Sequence, residues 1–472
     1  MSVVFESATE QHRLLISKQI SAVELLEAHL EQIDRVNPHL NAVVTLVPER
    51  ALSQAQTADQ ALARNQQLGV LHGLPMAHKD LARTEGIRTT HGSPLFADDV
   101  PDKDDLIIER MRSAGGVQIG KTNTPEFGAG SQTFNNVFGA TLNPYDPSRT
   151  CGGSSGGAAV ALATGMVPVA DGSDMGGSLR NPASFCNVVG LRPTPGLVPS
   201  WPSGSIWAPW GVVGPMGRTV DDVALLLSAI AGPDARVMVS PHIESAVFAA
   251  PLDPADLRGV RVGWAPNLTG LPVDPAVTAA LAPIRGVFDT LGARVDDACP
   301  DLGAAGEVFQ VMRAVEFASK LGQLRDLHPD AMKSTVVWNI DETRRRPLSD
   351  MADAVRSQAE IHAGVVDFFG EYDVLACPVS QVPPFPVDTE WISSIDGVEM
   401  GNYIEWMRSC SDITVTGCPA LSLPAGFTPE GLPVGIQLVA AHGKDRYLLQ
   451  VAKALESAIE IDRWPAIARP QG

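Results

Sequence analysis

Three short stretches of this sequence hold residue types that together can carry acyl transfer. Lys79 follows the apolar run Gly73-Leu74-Pro75-Met76-Ala77, Ser154 and Ser155 sit inside Gly152-Gly153-Ser154-Ser155-Gly156-Gly157, and Ser178 closes Asp174-Met175-Gly176-Gly177-Ser178. Opening an acyl carbonyl needs an activated nucleophile, a base for its proton and donors for the oxyanion that forms. Gly176 and Gly177 leave the backbone bare, so consecutive N–H groups from Met175 to Ser178 can turn toward one point beside the Ser178 hydroxyl. The doubled glycines around Ser154 and Ser155 let that loop pass close to the Ser178 loop, where a serine can bridge lysine and nucleophile. Lysine serves as base only when neutral. Bringing a pKa of about 10.4 to about 7 takes about 4.6 kcal/mol, and burial among Leu74, Pro75, Met76 and Leu81 is the means. Asp80 would oppose that shift if it met the amine, so its carboxylate is expected to point elsewhere.

Taken singly, each residue has a plainer role. A serine in a glycine-rich loop is usually a turn residue, and a lysine near a strand end is usually a solvated charge. The company the three keep favours chemistry. Ser155 either donates a hydrogen bond in the site or caps the helix that follows, and the sequence leaves both open. A phosphate-binding loop is disfavoured because Gly156-Gly157-Ala158 lacks the lysine such a loop needs. Cys151 and Cys186 read as small buried hydrophobes, Asp174 and Arg180 as supports for the nucleophile loop, and Trp201, Trp207 and Trp210 as core by default.

The elements that must position these residues are legible in outline. Ser21 with Glu24 signals a capping box, and Val23, Leu26, Leu30 and Ile33 follow at helical spacing until Asn37-Pro38, which should stop the helix. Lys79 is expected at the end of a short strand or in the loop after it, and Gly116–Gly120 as another buried strand. Residues 139–218 are crowded with Gly, Ser and Pro yet too apolar for a linker, and the run Ala158–Thr164 should open a helix directly after the serine loop. Val220–Ile230 reads as a helix. Gly259–Trp264, a helix opened by Asp274-Pro275 and a run at Arg294-Val295 read as strand, helix, strand, and Tyr372–Cys377 as a further strand before the extended loop Pro383–Pro386. With no internal repeat and no linker, one α/β domain over residues 1–472 is expected, a central mixed sheet flanked by helices.

Composition narrows the partners. The chain has 472 residues, 44% of them hydrophobic, and a net charge of −19 from 35 basic and 54 acidic side chains, which opposes nucleic acid and anionic membranes as partners. Six cysteines without a C-x-x-C pair make disulfides and a structural zinc unexpected. Residues 1–10 carry no leader pattern and no run reaches the roughly 18 apolar residues of a membrane span, so a cytoplasmic location is expected.

The same residues resemble the amidase signature family. The glycine-serine loop, Asp174-x-Gly176-Gly177-Ser178-Leu179-Arg180, Pro182-Ala183-Ser184-Phe185-Cys186, Gly190-Leu191-Arg192-Pro193-Thr194 and Lys79-Asp80 are similar to its motifs. So are Asn143-Pro144, Gly214-Pro215-Met216, Gly417–Ala420 and Gly431–Gly435, which spreads the resemblance over most of the chain. It implies a Ser-Ser-Lys triad in which Ser178 attacks, Ser154 relays the proton through a residue preceded by a cis peptide, and Lys79 receives it. It implies an oxyanion hole from the backbone of Met175, Gly176, Gly177 and Ser178, a substrate-side segment at Phe127 and Gly128, and no cofactor or metal. Met175 stands where the family often has Thr or Gly, and Leu179 where it often has Ile; main-chain donors tolerate both. Residues 300–410 hold no motif and are rich in large apolar side chains, among them Met312, Phe317, Trp338 and Trp406. If they cover the site, an apolar or aromatic amide is favoured. The implied activity is hydrolysis of a small-molecule carbon-nitrogen acyl bond other than a peptide bond, with esters and carbamates as side substrates. The alternatives are a glutamine-hydrolysing subunit of an aminoacyl-tRNA amidotransferase and a non-catalytic binding protein. Assembly is left open, a homodimer included.

Overall fold

The computed structural model describes residues 3–203, 210–268 and 270–469. Eight strands form one mixed sheet in the order Arg294–Asp297, Arg261–Trp264, Val374–Pro378, Pro433–Val439, Ala420–Phe427, Val189–Arg192, Val212–Gly217 and Val169–Asp174. The first three run parallel and the remaining neighbours antiparallel. Helices flank this sheet, as expected of the α/β reading. The parallel pair is joined by helix Pro275–Thr290, whose first turn is closed by Asp274 Oδ1 accepting the Ala276 N–H at 2.8 Å with Pro275 behind it.

A smaller sheet carries the lysine. Pro75–Lys79 pairs in parallel with Val117–Thr122, which pairs antiparallel with Val43–Leu46 on its other side. All five residues of Pro75–Lys79 are buried, and Lys79 is the last of them. The two sheets meet through one carboxylate. Asp171, on the edge strand Val169–Asp174, accepts from the Lys79 N–H at 3.2 Å and lies 2.7 Å from His78 Nδ1. Helix Gly156–Ala163 packs against strands of both sheets, and every residue in it is buried. A helix of Gly, Ala, Val and Leu is apolar all round and belongs in a core.

Two expectations differ from what forms. Helix Ala22–Leu40 keeps its capping box but runs past Asn37-Pro38, with Pro38 inside its last turn. A proline there removes one hydrogen bond near an end that is frayed in any case; the stop comes at Asn41, left-handed at φ 55°, whose N–H donates to Asn37 O at 2.8 Å. Residues 300–410 fold largely as three helices the sequence did not announce, Ala305–Leu327, Ser334–Arg345 and Leu348–Glu371. Of the tryptophans read as core, Trp210 is buried, Trp201 is 41% exposed at a cavity rim, and Trp207 lies outside the described residues. Among the described residues no helix is long and apolar enough to cross a membrane.

Candidate active site

Lys79 enters the site from the end of its strand with a side chain 1% exposed. Its Nζ meets three hydroxyls: Ser154 Oγ at 2.8 Å, Ser155 Oγ at 2.8 Å and Ser173 Oγ at 3.0 Å. Burial drives its pKa down to about 7, against the pull of the Asp174 and Asp171 carboxylates. An ammonium can donate to all three serines. A neutral amine donates to two and must accept from the third, so loss of the proton turns one hydroxyl around. Asp80 stays away from this amine: its carboxylate takes the Thr90 N–H at 3.1 Å and the Thr90 hydroxyl as well.

Ser154 follows a cis peptide bond from Gly153, as the resemblance implied. Ser155 does not cap helix Gly156–Ala163 with its side chain; its hydroxyl belongs to the lysine cluster, which resolves the alternative left open above. It is fully buried and is not among the cavity-lining residues. Ser155 N–H donates to Ser178 O at 3.2 Å, tying the two serine loops together. The Ser178 side chain shares the cavity with Lys79 and Ser154. Among the described residues no hydrogen bond joins the Ser154 and Ser178 hydroxyls.

The loop that carries Ser178 is held from beneath by a buried carboxylate. Asp174 accepts the Gly177 N–H at 2.9 Å and the Leu179 N–H at 3.1 Å, and pairs with Arg180 at 2.8 Å. Arg192 donates to the Asp174 carbonyl at 2.6 Å. Burial alone would raise the Asp174 pKa, but Arg180 and Arg192 outweigh it and hold the carboxyl below its ordinary range. Gly177 has φ +113°, and a Cβ there would stand 2.5 Å from Cys410 Cβ, so both its conformation and its surroundings require glycine. Four backbone donors were expected to face one point. Gly177 N–H is engaged by Asp174, whereas those of Met175, Gly176 and Ser178 have no acceptor among the described residues.

A cavity of about 410 Å³ opens over these groups. Phe127 and Gly128 are among its lining residues. Phe127 is left-handed at φ 48° with its N–H on His91 O at 2.8 Å, and a Cβ on Gly128 would lie 3.4 Å from Ser154 Oγ. Leu81, Ile107, Trp201 and Val212 add apolar wall, and helix Ala305–Leu327 contributes Arg313, Glu316, Phe317, Lys320 and Leu321. Cys151 and Cys186 are buried and away from this lining; burial pushes the Cys151 thiol up to about 12 and the Cys186 thiol well above its usual value. Among the described residues no three His, Cys, Asp or Glu side chains converge as a metal site requires. Sequence reasoning missed Asp171, Ser173 and Arg313. Asp171 and Ser173 are two apart on one strand and so share a face, a period-two signal that was readable. Arg313 gave no local sign.

Residues 24–449 match the model of the family described as Amidase. A curated acylamidase of Rhodococcus erythropolis is 34% identical to this chain, over 96% of it and 95% of the relative. A glutamyl-tRNA(Gln) amidotransferase subunit of Thermosynechococcus vestitus is also 34% identical, over 95% of this chain and 96% of the relative. The crystal structure of a bacterial aryl acylamidase, described as one of the amidase signature enzymes, superposes with a TM-score of 0.88 at 28% identity over 96% of each chain.

Proposed function

This chain belongs to the amidase signature family and is a hydrolase of carbon-nitrogen bonds, and from that premise we propose that Ser178 is its nucleophile, Ser154 its proton relay and Lys79 its base. Neutral Lys79 accepts the proton of the Ser154 hydroxyl as Ser154 takes that of Ser178. Ser178 Oγ bonds to the amide carbon, and the carbonyl electrons move onto oxygen. The N–H groups of Met175, Gly176 and Ser178 receive that charge, while Gly177 N–H, on Asp174, fixes the loop that aims them. Lys79 then returns the proton through Ser154 to the departing amine, and water releases the acyl group by the same path in reverse. The carrying observation is the fully buried 2.8 Å contact of Lys79 Nζ with Ser154 Oγ on the cavity that Ser178 also lines.

Substrate choice follows the walls. Phe127, Leu81, Ile107, Trp201, Val212 and Phe317 favour a small-molecule amide with an apolar or aromatic group, with esters or carbamates as side substrates. We read residues 300–410 as the substrate-covering region of one domain, because helix Ala305–Leu327 supplies one wall. The test is a screen of anilides, primary amides, carbamates and glutamine, with mass spectrometry of the quenched enzyme. An anilide turned over fastest, and an acyl adduct on the Ser178 peptide, are expected. Wild-type turnover by Ser178→Ala would overturn the assignment. A second reading, a glutamine-hydrolysing subunit, is favoured by the amidotransferase relatives at 34% identity. Glutamine outrunning the anilide, and only beside a partner chain, would select it.

A further inference from the structure

Arg313 stands on the cavity wall as a buried cation without a counter-ion among the described residues. It is 4% exposed. Its Nε donates to Asn339 Oδ1 at 3.0 Å and Tyr403 Oη at 3.3 Å, its Nη2 donates to Tyr403 Oη at 3.0 Å, and its Nη1 lies 3.1 Å from Met175 Sδ. The Phe317 ring centroid is 4.4 Å from its Cζ. All of these partners are neutral, and a thioether is a weak acceptor for a guanidinium donor. No Asp or Glu oxygen of the described residues comes within 4.0 Å of its nitrogens. Burying a charge without a partner is strongly unfavourable, so a wall that keeps one is balanced when the cavity fills.

The neighbours define what fills it. Glu316, one turn farther on the same helix, is paired with Lys320, so Arg313 is the charge left unanswered. Glu316 Oε2 is buried with no hydrogen-bond partner among the described residues, and repulsion from this carboxylate grows with the charge of an incoming anion. A single carboxylate, which a guanidinium binds through two parallel N–H bonds, is therefore favoured over a phosphate-like polyanion. Met175 joins this cation to the oxyanion loop, since the residue whose sulfur touches Nη1 is the first of the proposed donors.

We propose that Arg313 binds a carboxylate carried by the substrate, which makes the natural substrate an acidic amide with an apolar or aromatic body. This rests on the amidase reading in taking the cavity as the substrate's. The acid group can come from the acyl side or the amine side. Three amides distinguish these sources: glutaryl anilide, 4-butyramidobenzoate and neutral butyranilide. For the wild-type enzyme, kcat/KM for one of the two acids exceeds that for butyranilide by about tenfold or more, the scale of a charge-assisted hydrogen bond. In Arg313→Met that ratio falls to within about threefold of one, and in Arg313→Lys part of it returns. Should Arg313→Met fail to fold, Tyr403→Phe removes the hydroxyl that orients Nε and Nη2 and lowers the ratio through KM. No preference for either acid in the wild-type enzyme, or a preference that survives Arg313→Met, overturns the proposal. Calorimetry of the same amides on Ser178→Ala reads binding without turnover. Carboxylate-dependent binding that Arg313→Met abolishes, with no hydrolysis of these amides by the wild-type enzyme, supports this site and sinks the proposed reading of the cavity as one for apolar or aromatic amides. Hydrolysis of butyranilide without carboxylate preference does the reverse.

Discussion

Asp174 Oδ1 accepts the Gly177 N–H at 2.9 Å, so a carboxylate four residues before Ser178, the proposed nucleophile, holds the loop that carries it. The same side chain is bonded to Arg180 and lies 3.5 Å from Arg192, with all three fully buried. Charge and backbone geometry are therefore set by one group.

Asp174→Asn tests this. It leaves two buried guanidinium groups without their anion, and breaking a buried pair costs about 3–5 kcal/mol. Urea unfolding monitored by fluorescence is expected to show a loss of that order. At temperatures where the variant stays folded, kcat is expected to fall more than KM rises, because the donors to the oxyanion act in the transition state.

Ser178→Ala is expected to lower kcat by at least about a thousandfold while the melting temperature stays near that of the wild type, since the change removes one oxygen from a cavity wall. Ser154→Ala is expected to act on kcat in the same direction. Retention of most activity in Ser154→Ala would remove the relay from the mechanism.

The lysine sets a pH dependence whose sign can be worked out. Its folded pKa, about 7, lies below the ordinary 10.5, so it is neutral above about 7, the form the proposed base requires. The profile of kcat/KM is expected to rise through an apparent pKa near that value, and Lys79→Ala is expected to lose most activity near neutral pH. Stability follows the same sign. Between these two pKa values the unfolded chain holds the proton and the folded one does not, so stability rises with pH across that window and is lowest below it. Lys79→Met is expected to lack this rise in chemical-denaturation curves taken from pH 6 to pH 10.

Gly177→Ala places a Cβ 2.5 Å from that of Cys410 at a φ of +113°, where side chains are rarely found. Backbone strain of this kind costs of order 1–3 kcal/mol before the clash is counted. Circular dichroism is expected to show a lower melting temperature, and the anilide assay a loss of activity larger than that for Gly286→Ala, a position with open space around it.

Much of this molecule was legible in its sequence because the signals were local. Capping at Ser21, the helix Val220–Ile230, the start at Asp274-Pro275 and the serine loops ahead of Gly156–Ala163 depend on residues within a few positions of one another. Glycine pairs and a lysine after an apolar run likewise announced the close serine loops and a buried lysine. The long helices between 300 and 410 did not announce themselves: the first of them packs on several sides and shows no clean apolar stripe to read.

The types of the reactive groups, their glycine context and the α/β class were thus set by the order of residues alone, since steric freedom and short-range periodicity are properties of neighbours. The protonation of Lys79, the third hydroxyl from Ser173, the engagement of Gly177 N–H and the unanswered charge of Arg313 were decided only when distant segments met. A pKa and a hydrogen-bond partner depend on what surrounds a group in space, and burial is a property of the folded whole.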